Sequence, residues 1–174
     1  LMTRRFSQIT EITKLMEECK ALKIATLGPD VNESQIGFGV NKHGEIRFGL
    51  SAIKGMGASA AESIVREREK NGPYKDIYDF AERVDFSNVN RKAFESLAYS
   101  GGFDSFGLQR EQYFAITGKG GSFLDTIVRY RQLLQAKKAQ QQKSLFAGMD
   151  AIDVVHPVAR KAEKWPVIAK VNKE

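Results

Sequence analysis

The sequence has 174 residues and a mass of 19.5 kDa, enough for one ordinary domain or two very small ones. Its net charge of +6 favours polyanionic partners but does not by itself indicate one. We expect no membrane span, because no long apolar run occurs. The single cysteine suits a reducing, cytoplasmic location. Two histidines and one cysteine cannot build a four-ligand zinc site.

The N-terminal part of the sequence predicts a helix and then a β-hairpin. Apolar residues recur at helical spacing within residues 3–27, and Gly28-Pro29 ends that element because proline cannot continue a helix. Residues 36–50 alternate instead between apolar and polar, with the turn sequence Asn41-Lys42-His43-Gly44 in the middle. Two strands alone are marginally stable, so we expect this hairpin to pack on helices.

Most of the remaining sequence is helical in period. We predict helices over residues 58–70, 76–84, 91–100, 109–117 and 122–142, several of which end at glycine-containing breaks. The segment from Met149 onward contains Pro157 and Pro166 and shows little periodicity, so we expect a partly ordered tail.

The sharpest local feature is the pair Gly55 and Gly57, preceded by the apolar residues Leu50 and Ile53. Glycine permits positive φ, so two short helices can join tightly there. The backbone N–H groups that follow would begin a helix, where unsatisfied donors and the helix dipole favour an anion such as phosphate. Lys54 adds a positive charge. We therefore assign DNA-backbone binding without base specificity to Ile53, Lys54, Gly55, Met56, Gly57, Ala58 and Ser59.

Three interpretations of this glycine pair compete. The first is a loop that only joins two elements. The second is a dinucleotide fingerprint, with residues 55–60 as the glycine-rich turn and Asp76 as the acidic residue, but the flanking segments lack the parallel strands that it requires. The third is a helix-hairpin-helix that holds a DNA backbone, and it also explains the small and apolar residues on both sides.

Beyond this motif, the sequence resembles the bacterial replicative DNA polymerase III alpha subunit family over roughly residues 10–148. The resemblance rests on stretches in the same order, namely residues 29–34, 46–57, 72–74, 79–80 and 101–104. It implies a position after the catalytic domains, where that family carries a tandem helix-hairpin-helix that binds duplex DNA. The first hairpin matches from Ile53 to Gly57. The second unit, around residues 85–90, lacks Gly-x-Gly, so we expect it to give mainly structural support.

A second candidate site is a short peptide that follows a basic run. Residues 129–143 carry five positive charges and no acid, which by itself is typical of a solvated helix face. The sequence Gln142-Lys143-Ser144-Leu145-Phe146 then resembles the pentapeptide with which bacterial polymerases hold their sliding clamp. Leu145 and Phe146 would enter an apolar groove, Gln142 would fix the register by hydrogen bonds, and Ser144 belongs to the same contact.

We expect no catalytic residue, metal or cofactor in this segment. Its tight acidic cluster consists of Asp76, Asp79, Glu82 and Asp85, which we interpret as capping residues and a solvated face rather than a two-metal site. The resemblance places the carboxylates of the parent DNA-directed DNA polymerase upstream of this segment. The start at Leu1 agrees with a piece of a longer chain.

The predicted fold class is mainly α: a tandem helix-hairpin-helix domain with a small β-hairpin, then a long helix and a partly ordered tail. We predict an N-terminal helix and connector (1–35), the hairpin-containing domain (36–106), a helical region ending in the clamp peptide (107–148) and a linker (149–174). The expected partners are double-stranded DNA, the sliding clamp and the remaining polymerase domains and subunits, with no membrane. The alternative is a structural or protein-interaction module without DNA contact.

Overall fold

The computed structural model describes residues 9–118, 120–143 and 155–166. Helix α1 (Ile9–Ala21) leads into a small sheet in which strand β3 (Ile46–Arg47) is central. Strand β2 (Gly39–Val40) pairs with β3 in antiparallel orientation, which confirms the predicted β-hairpin. Strand β1 (Thr26–Leu27) pairs with β3 in parallel on the other side. The β1 strand was not predicted, because it is two residues long and directly follows helical spacing.

The remaining elements of the described residues are mainly helical, as predicted. In chain order they are a 3₁₀ helix (Leu50–Ala52), α2 (Ala58–Asn71), α3 (Ile77–Arg83), α4 (Arg91–Ser100), a 3₁₀ helix (Asp104–Phe106), α5 (Arg110–Phe114), a β4–β5 hairpin (Ile116–Thr117 and Gly121–Ser122) and α6 (Phe123–Lys143). The helix predicted over residues 109–117 ends earlier, at Phe114, because Ile116 and Thr117 pair with Gly121–Ser122 in a short hairpin. No helix within these residues is long and apolar enough to cross a bilayer.

One hydrophobic core runs through the helical part and includes the residues that flank the glycine pair. The long helix α6 packs against α3, α4 and α5, and its first turns bury Phe123, Leu124 and Ile127. Phe80 of α3 makes edge-on ring contacts with both Phe94 and Phe103 in the centre of this core. Burial of such side chains stabilises each of them by about 1.5–3 kcal/mol relative to exposure.

The loop formed by residues 29–34 holds the N-terminal sheet against the helices. The Val31 N–H donates to the carbonyl of Gly102 (3.0 Å), and the Ser34 hydroxyl donates to the carbonyl of Phe48 (2.6 Å). Asn32 exchanges two hydrogen bonds with the backbone of Tyr74, at 2.7 and 2.8 Å. Several stretches that carried the family resemblance therefore meet in one structural joint.

Arg68 completes this joint from within the core. Its side chain is only 8% exposed and donates to the carbonyl oxygens of Val31 (2.8 Å) and Ser34 (2.9 Å). Removal from water lowers the pKa of the guanidinium below its ordinary value. Because these carbonyl groups have lost their water, Arg68 satisfies acceptors that would otherwise be costly to bury.

Part of the tail, residues 155–166, lies against the helical core. The ring of His156 stacks on Tyr78 with centroids 4.3 Å apart. Farther along, the Gln112 side chain donates to the carbonyl of Arg160 (3.1 Å). Trp165 stacks against Phe114 and Tyr99, with centroids 5.4 and 6.0 Å apart. These contacts join to the core a segment that has no regular secondary structure.

Candidate nucleic-acid interface

The predicted hairpin is a tight turn between the first 3₁₀ helix and α2. The Met56 N–H donates to the carbonyl of Ile53 (3.0 Å), and Gly55 has a φ of +86° at the third position of that turn. This arrangement matches a type II turn, which requires positive φ at that position. The first of the two short helices is a single 3₁₀ turn, Leu50–Ala52.

Gly55 also allows the hairpin to approach α4 closely. A Cβ added there would lie 2.8 Å from the Ser96 Oγ and 3.4 Å from the Lys92 Cε. Any side chain at this position would therefore be strained twice, by its backbone conformation and by overlap with α4. Glycine is needed here for the fold.

Gly57 has a different role, because it is the N-cap residue of α2. Its φ of −77° and ψ of 153° suit any amino acid, and a Cβ there would meet nothing closer than the Ser59 Oγ at 3.8 Å. No side chain caps this helix, and its first closing bond runs from the Ala61 N–H to the Gly57 carbonyl (3.1 Å). Within the described residues, the N–H groups of Ala58, Ser59 and Ala60 have no acceptor.

In the second helix-hairpin-helix unit, side chains accept hydrogen bonds from the backbone N–H groups at the helix starts. Asp76 accepts from two N–H groups at the start of α3, both at 2.8 Å, and Asn90 accepts from the Ala93 N–H at the start of α4 (3.1 Å). Ser122 similarly accepts from the Asp125 N–H at the start of α6 (3.2 Å). The start of α2 is thus open to an external anion, while these other starts are occupied.

The seven predicted DNA-backbone residues divide into exposed and buried ones. The exposed members are Lys54, Gly55, Gly57, Ala58 and Ser59. Ile53 and Met56 are each only 8% exposed and belong to the hydrophobic core. Met56 packs in the core beneath the turn. The side chains of these two residues hold the loop in place, so only their backbone groups can face a ligand.

A groove of about 300 Å³ lies beside the turn, between the hairpin and α4. Its hairpin wall is Ile53, Lys54 and Gly55, and its α4 wall includes Lys92, Ser96 and Tyr99. The α4 wall was missed from the sequence, because nothing in the local pattern links Lys92 to the glycine pair. Only the close approach at Gly55 brings the two lysines to one groove.

The predicted clamp peptide falls largely outside the described residues. The backbone of Gln142 lies in the last turn of α6, whereas Ser144, Leu145 and Phe146 lie beyond the part of the chain that the structure describes. The preceding basic run is not simply a solvated face. Arg131 is 7% exposed, donates to the carbonyl of Val84 and lies 4.4 Å over the Phe86 ring.

The acidic cluster has a structural explanation at each position. Asp76 caps α3, Asp79 pairs with Arg83 (3.0 Å), and Glu82 accepts from the hydroxyl of Tyr130 (2.5 Å). The Ser87 hydroxyl hydrogen-bonds to the fourth member, Asp85, and holds the pKa of that carboxyl below its ordinary value. Within the described ranges, no group of three or more histidine, cysteine, aspartate or glutamate side chains could hold a metal ion.

Comparison with known proteins agrees with the resemblance seen in the sequence. The chain is 44% identical over 116 residues to the DNA polymerase III subunit alpha of Chlamydia trachomatis, covering 67% of this chain and 9% of that protein. It is 39% identical over 110 residues to the subunit of Pasteurella multocida, covering 63% and 10%. The subunit of Vibrio cholerae is 30% identical over 175 residues, covering 100% and 14%. The chain thus spans 9% to 14% of these relatives.

The resemblance to the alpha subunit is therefore confirmed along the chain. A family profile described as a helix-hairpin-helix motif matches residues 23–113, which include the sheet, the turn at Gly55 and helices α2 to α4. Over these residues the match agrees with the observed geometry, and it covers more than half of the sequence. The chain belongs to the helix-hairpin-helix motif family.

Proposed function

We propose that this chain binds the sugar-phosphate backbone of duplex DNA without sequence preference, as part of a larger replicative polymerase. The observation that carries the proposal is the uncapped start of α2, where Gly57 leaves backbone N–H donors exposed beside Lys54. A phosphate oxygen would accept hydrogen bonds from these donors, and the helix dipole and the lysine would both favour its charge. Such contacts touch no base edge and so carry no sequence information.

The similarity to the alpha subunits supports the wider context of this proposal. The chain spans only 9% to 14% of those relatives, and the resemblance implies a position after the catalytic domains, so we assign DNA synthesis itself to other parts of the polymerase. The chain would act beside that centre, by holding the duplex as it leaves. This role places it in the cytoplasm with the bacterial chromosome and in contact with the other domains and subunits of the polymerase.

We also propose that the peptide from Gln142 to Phe146 attaches the polymerase to its sliding clamp. The support is the sequence pattern and its position at the C-terminal end of α6, which ends at Lys143. The hairpin would bind the duplex, and the peptide would bind the ring-shaped clamp that encircles the same duplex. Each contact would raise the effective concentration of the other. Linked contacts of this kind increase avidity without a new interface, and the result would be greater processivity.

Replacing Lys54 with glutamate tests the DNA proposal. We expect the affinity for a short random-sequence duplex to fall about tenfold or more, because a charge that attracts phosphate becomes one that repels it. The matched control is Lys42→Glu, which makes the same charge change at an exposed lysine in the β2–β3 turn. Calorimetric titration gives the affinity, and circular dichroism checks the fold. Equal affinities for both variants would remove Lys54 from the interface, and an absence of salt-dependent duplex binding by the unmodified chain would favour the module without DNA contact.

Replacing Leu145 and Phe146 together with alanine tests the clamp proposal. We expect binding to the purified clamp to fall at least about a hundredfold, because adjacent buried apolar anchors carry most of the energy of such contacts. Leu133→Ala is the control, since Leu133 is an exposed apolar residue of α6 upstream of the peptide. Duplex affinity should stay unchanged in the double variant. Undiminished clamp binding would place the attachment elsewhere.

A further inference from the structure

We propose that α4 supplies a second phosphate contact, in which Lys92 and Lys54 hold the DNA backbone from opposite walls of the groove beside Gly55. This inference rests on the proposed function and extends it. It also departs from the expectation that the second helix-hairpin-helix unit gives mainly structural support. The ligand is the same backbone that the start of α2 would bind, held at a neighbouring phosphate.

The geometry places the Lys92 side chain directly against the turn. Its Cε lies 3.4 Å from where a Cβ of Gly55 would be, and the Ser96 Oγ lies 2.8 Å from the same point. Lys54 lines the groove from the hairpin, and Tyr99 lines it from α4. An anion in this groove would therefore meet the ammonium groups of Lys54 and Lys92 and the hydroxyl group of Ser96. These donors suit the oxygen atoms of a phosphodiester.

The charges of the groove favour an anion. Its acidic residue, Glu95, accepts from Arg91 at 3.2 Å, and Arg91 also pairs with Asp125 at 2.8 Å. Neither Lys54 nor Lys92 forms an ion pair within residues 9–118, 120–143 and 155–166. The two lysines thus remain available to an external anion, and together they outweigh the single glutamate of the groove, which shares Arg91 with Asp125. Both lysines are exposed, so their long side chains can adjust to a ligand.

Continuity with the first site identifies the occupant as a nucleic-acid backbone. Gly55 lines the groove. Gly57, two residues later, occupies the N-cap position of α2, where no side chain caps the helix. A polymer with regularly spaced phosphates can fill both places at once, while a single phosphate ion can fill only one. Binding of a continuous backbone would also gain from the tight turn, because the main chain of the hairpin needs no further ordering and only the two lysine side chains must adjust.

The test compares Lys92→Gln with Lys14→Gln, an exposed lysine of α1 that lines neither the groove nor the hairpin. We expect Lys92→Gln to weaken duplex binding about five- to tenfold and to reduce the slope of log affinity against log salt by about 0.9, as for one lost phosphate contact. Lys14→Gln should change neither quantity. Lys92→Arg, which keeps the charge, should restore most of the affinity and the slope.

Two further measurements separate this inference from the function on which it rests. If Lys54→Glu weakens binding while Lys92→Gln behaves like Lys14→Gln, the α4 contact is wrong and the hairpin contact stands. If the unmodified chain binds no duplex, both proposals fall. The last measurement is a titration with inorganic phosphate. If the chain binds phosphate as tightly as duplex, and if this affinity depends on Lys92, the assignment to a continuous backbone is wrong.

Discussion

Gly57→Asp should make the protein more stable and at the same time weaken its binding to duplex DNA. The backbone angles at Gly57 are those of an ordinary N-cap residue, and the space around it accepts a side chain. An aspartate there would accept the free N–H groups of Ser59 or Ala60 and complement the helix dipole, with a gain of about 0.5 kcal/mol. The same carboxylate would occupy the place of the phosphate and repel it.

The expected loss of duplex affinity is about ten- to a hundredfold, the equivalent of one or two charge-assisted hydrogen bonds. Urea unfolding measures the stability, and calorimetric titration measures the binding. Gly28→Asp serves as the charge control, because a Cβ at exposed Gly28 meets no atom within 4 Å. Gly57→Asn separates occlusion of the donors from charge repulsion. A Gly57→Asp variant that binds duplex normally would remove the start of α2 from the interface.

Gly55→Ala should destabilise the protein by about 2–4 kcal/mol, the combined cost of left-handed backbone geometry and an overpacked contact. The φ of +86° accounts for the first contribution, and the 2.8 Å approach to the Ser96 Oγ accounts for the second. Gly57→Ala is the matched control, with an expected change below about 1 kcal/mol, since its backbone is ordinary and its surroundings are open. The measurement is the urea concentration at the midpoint of unfolding, compared between variants whose free energy of unfolding falls with urea at the same slope.

A second variant separates these contributions at Gly55. In a Ser96→Ala background the Oγ is absent and the nearest remaining atom of that residue is its Cβ, 4.0 Å from the added methyl group. Gly55→Ala should then cost less by about 1 kcal/mol, leaving mainly the backbone strain. An identical cost in both backgrounds would mean that α4 moves away freely, and it would weaken the case for a rigid groove.

The elements that the sequence predicted correctly are those whose signals are local. Helix α6 has regular apolar spacing, and the β2–β3 hairpin has alternation around turn residues, so each is marked by its own sequence. Strand β1 carries no such mark, because two residues are too few for a period. Its pairing with β3 joins residues that are 20 positions apart in the chain, such as Thr26 and Ile46, and is therefore a property of the tertiary structure.

The same distinction applies to the candidate site. Gly55 and Gly57 stand out in the sequence because the motif lies within a few residues, yet the sequence does not reveal that they differ in role. The positive φ at Gly55 and the open N-cap at Gly57 are visible only in the folded backbone. Lys92 was missed because its neighbourhood is created by the packing of α4 on the turn.

The docking of residues 155–166 has an optical consequence. Trp165 is the only tryptophan among the 174 residues, and it stacks on Tyr99, which lines the groove beside Lys92. The chain therefore carries its single indole fluorophore one aromatic ring away from the candidate phosphate site. Its emission reports on that wall of the groove without any attached dye, and no other indole contributes to the signal.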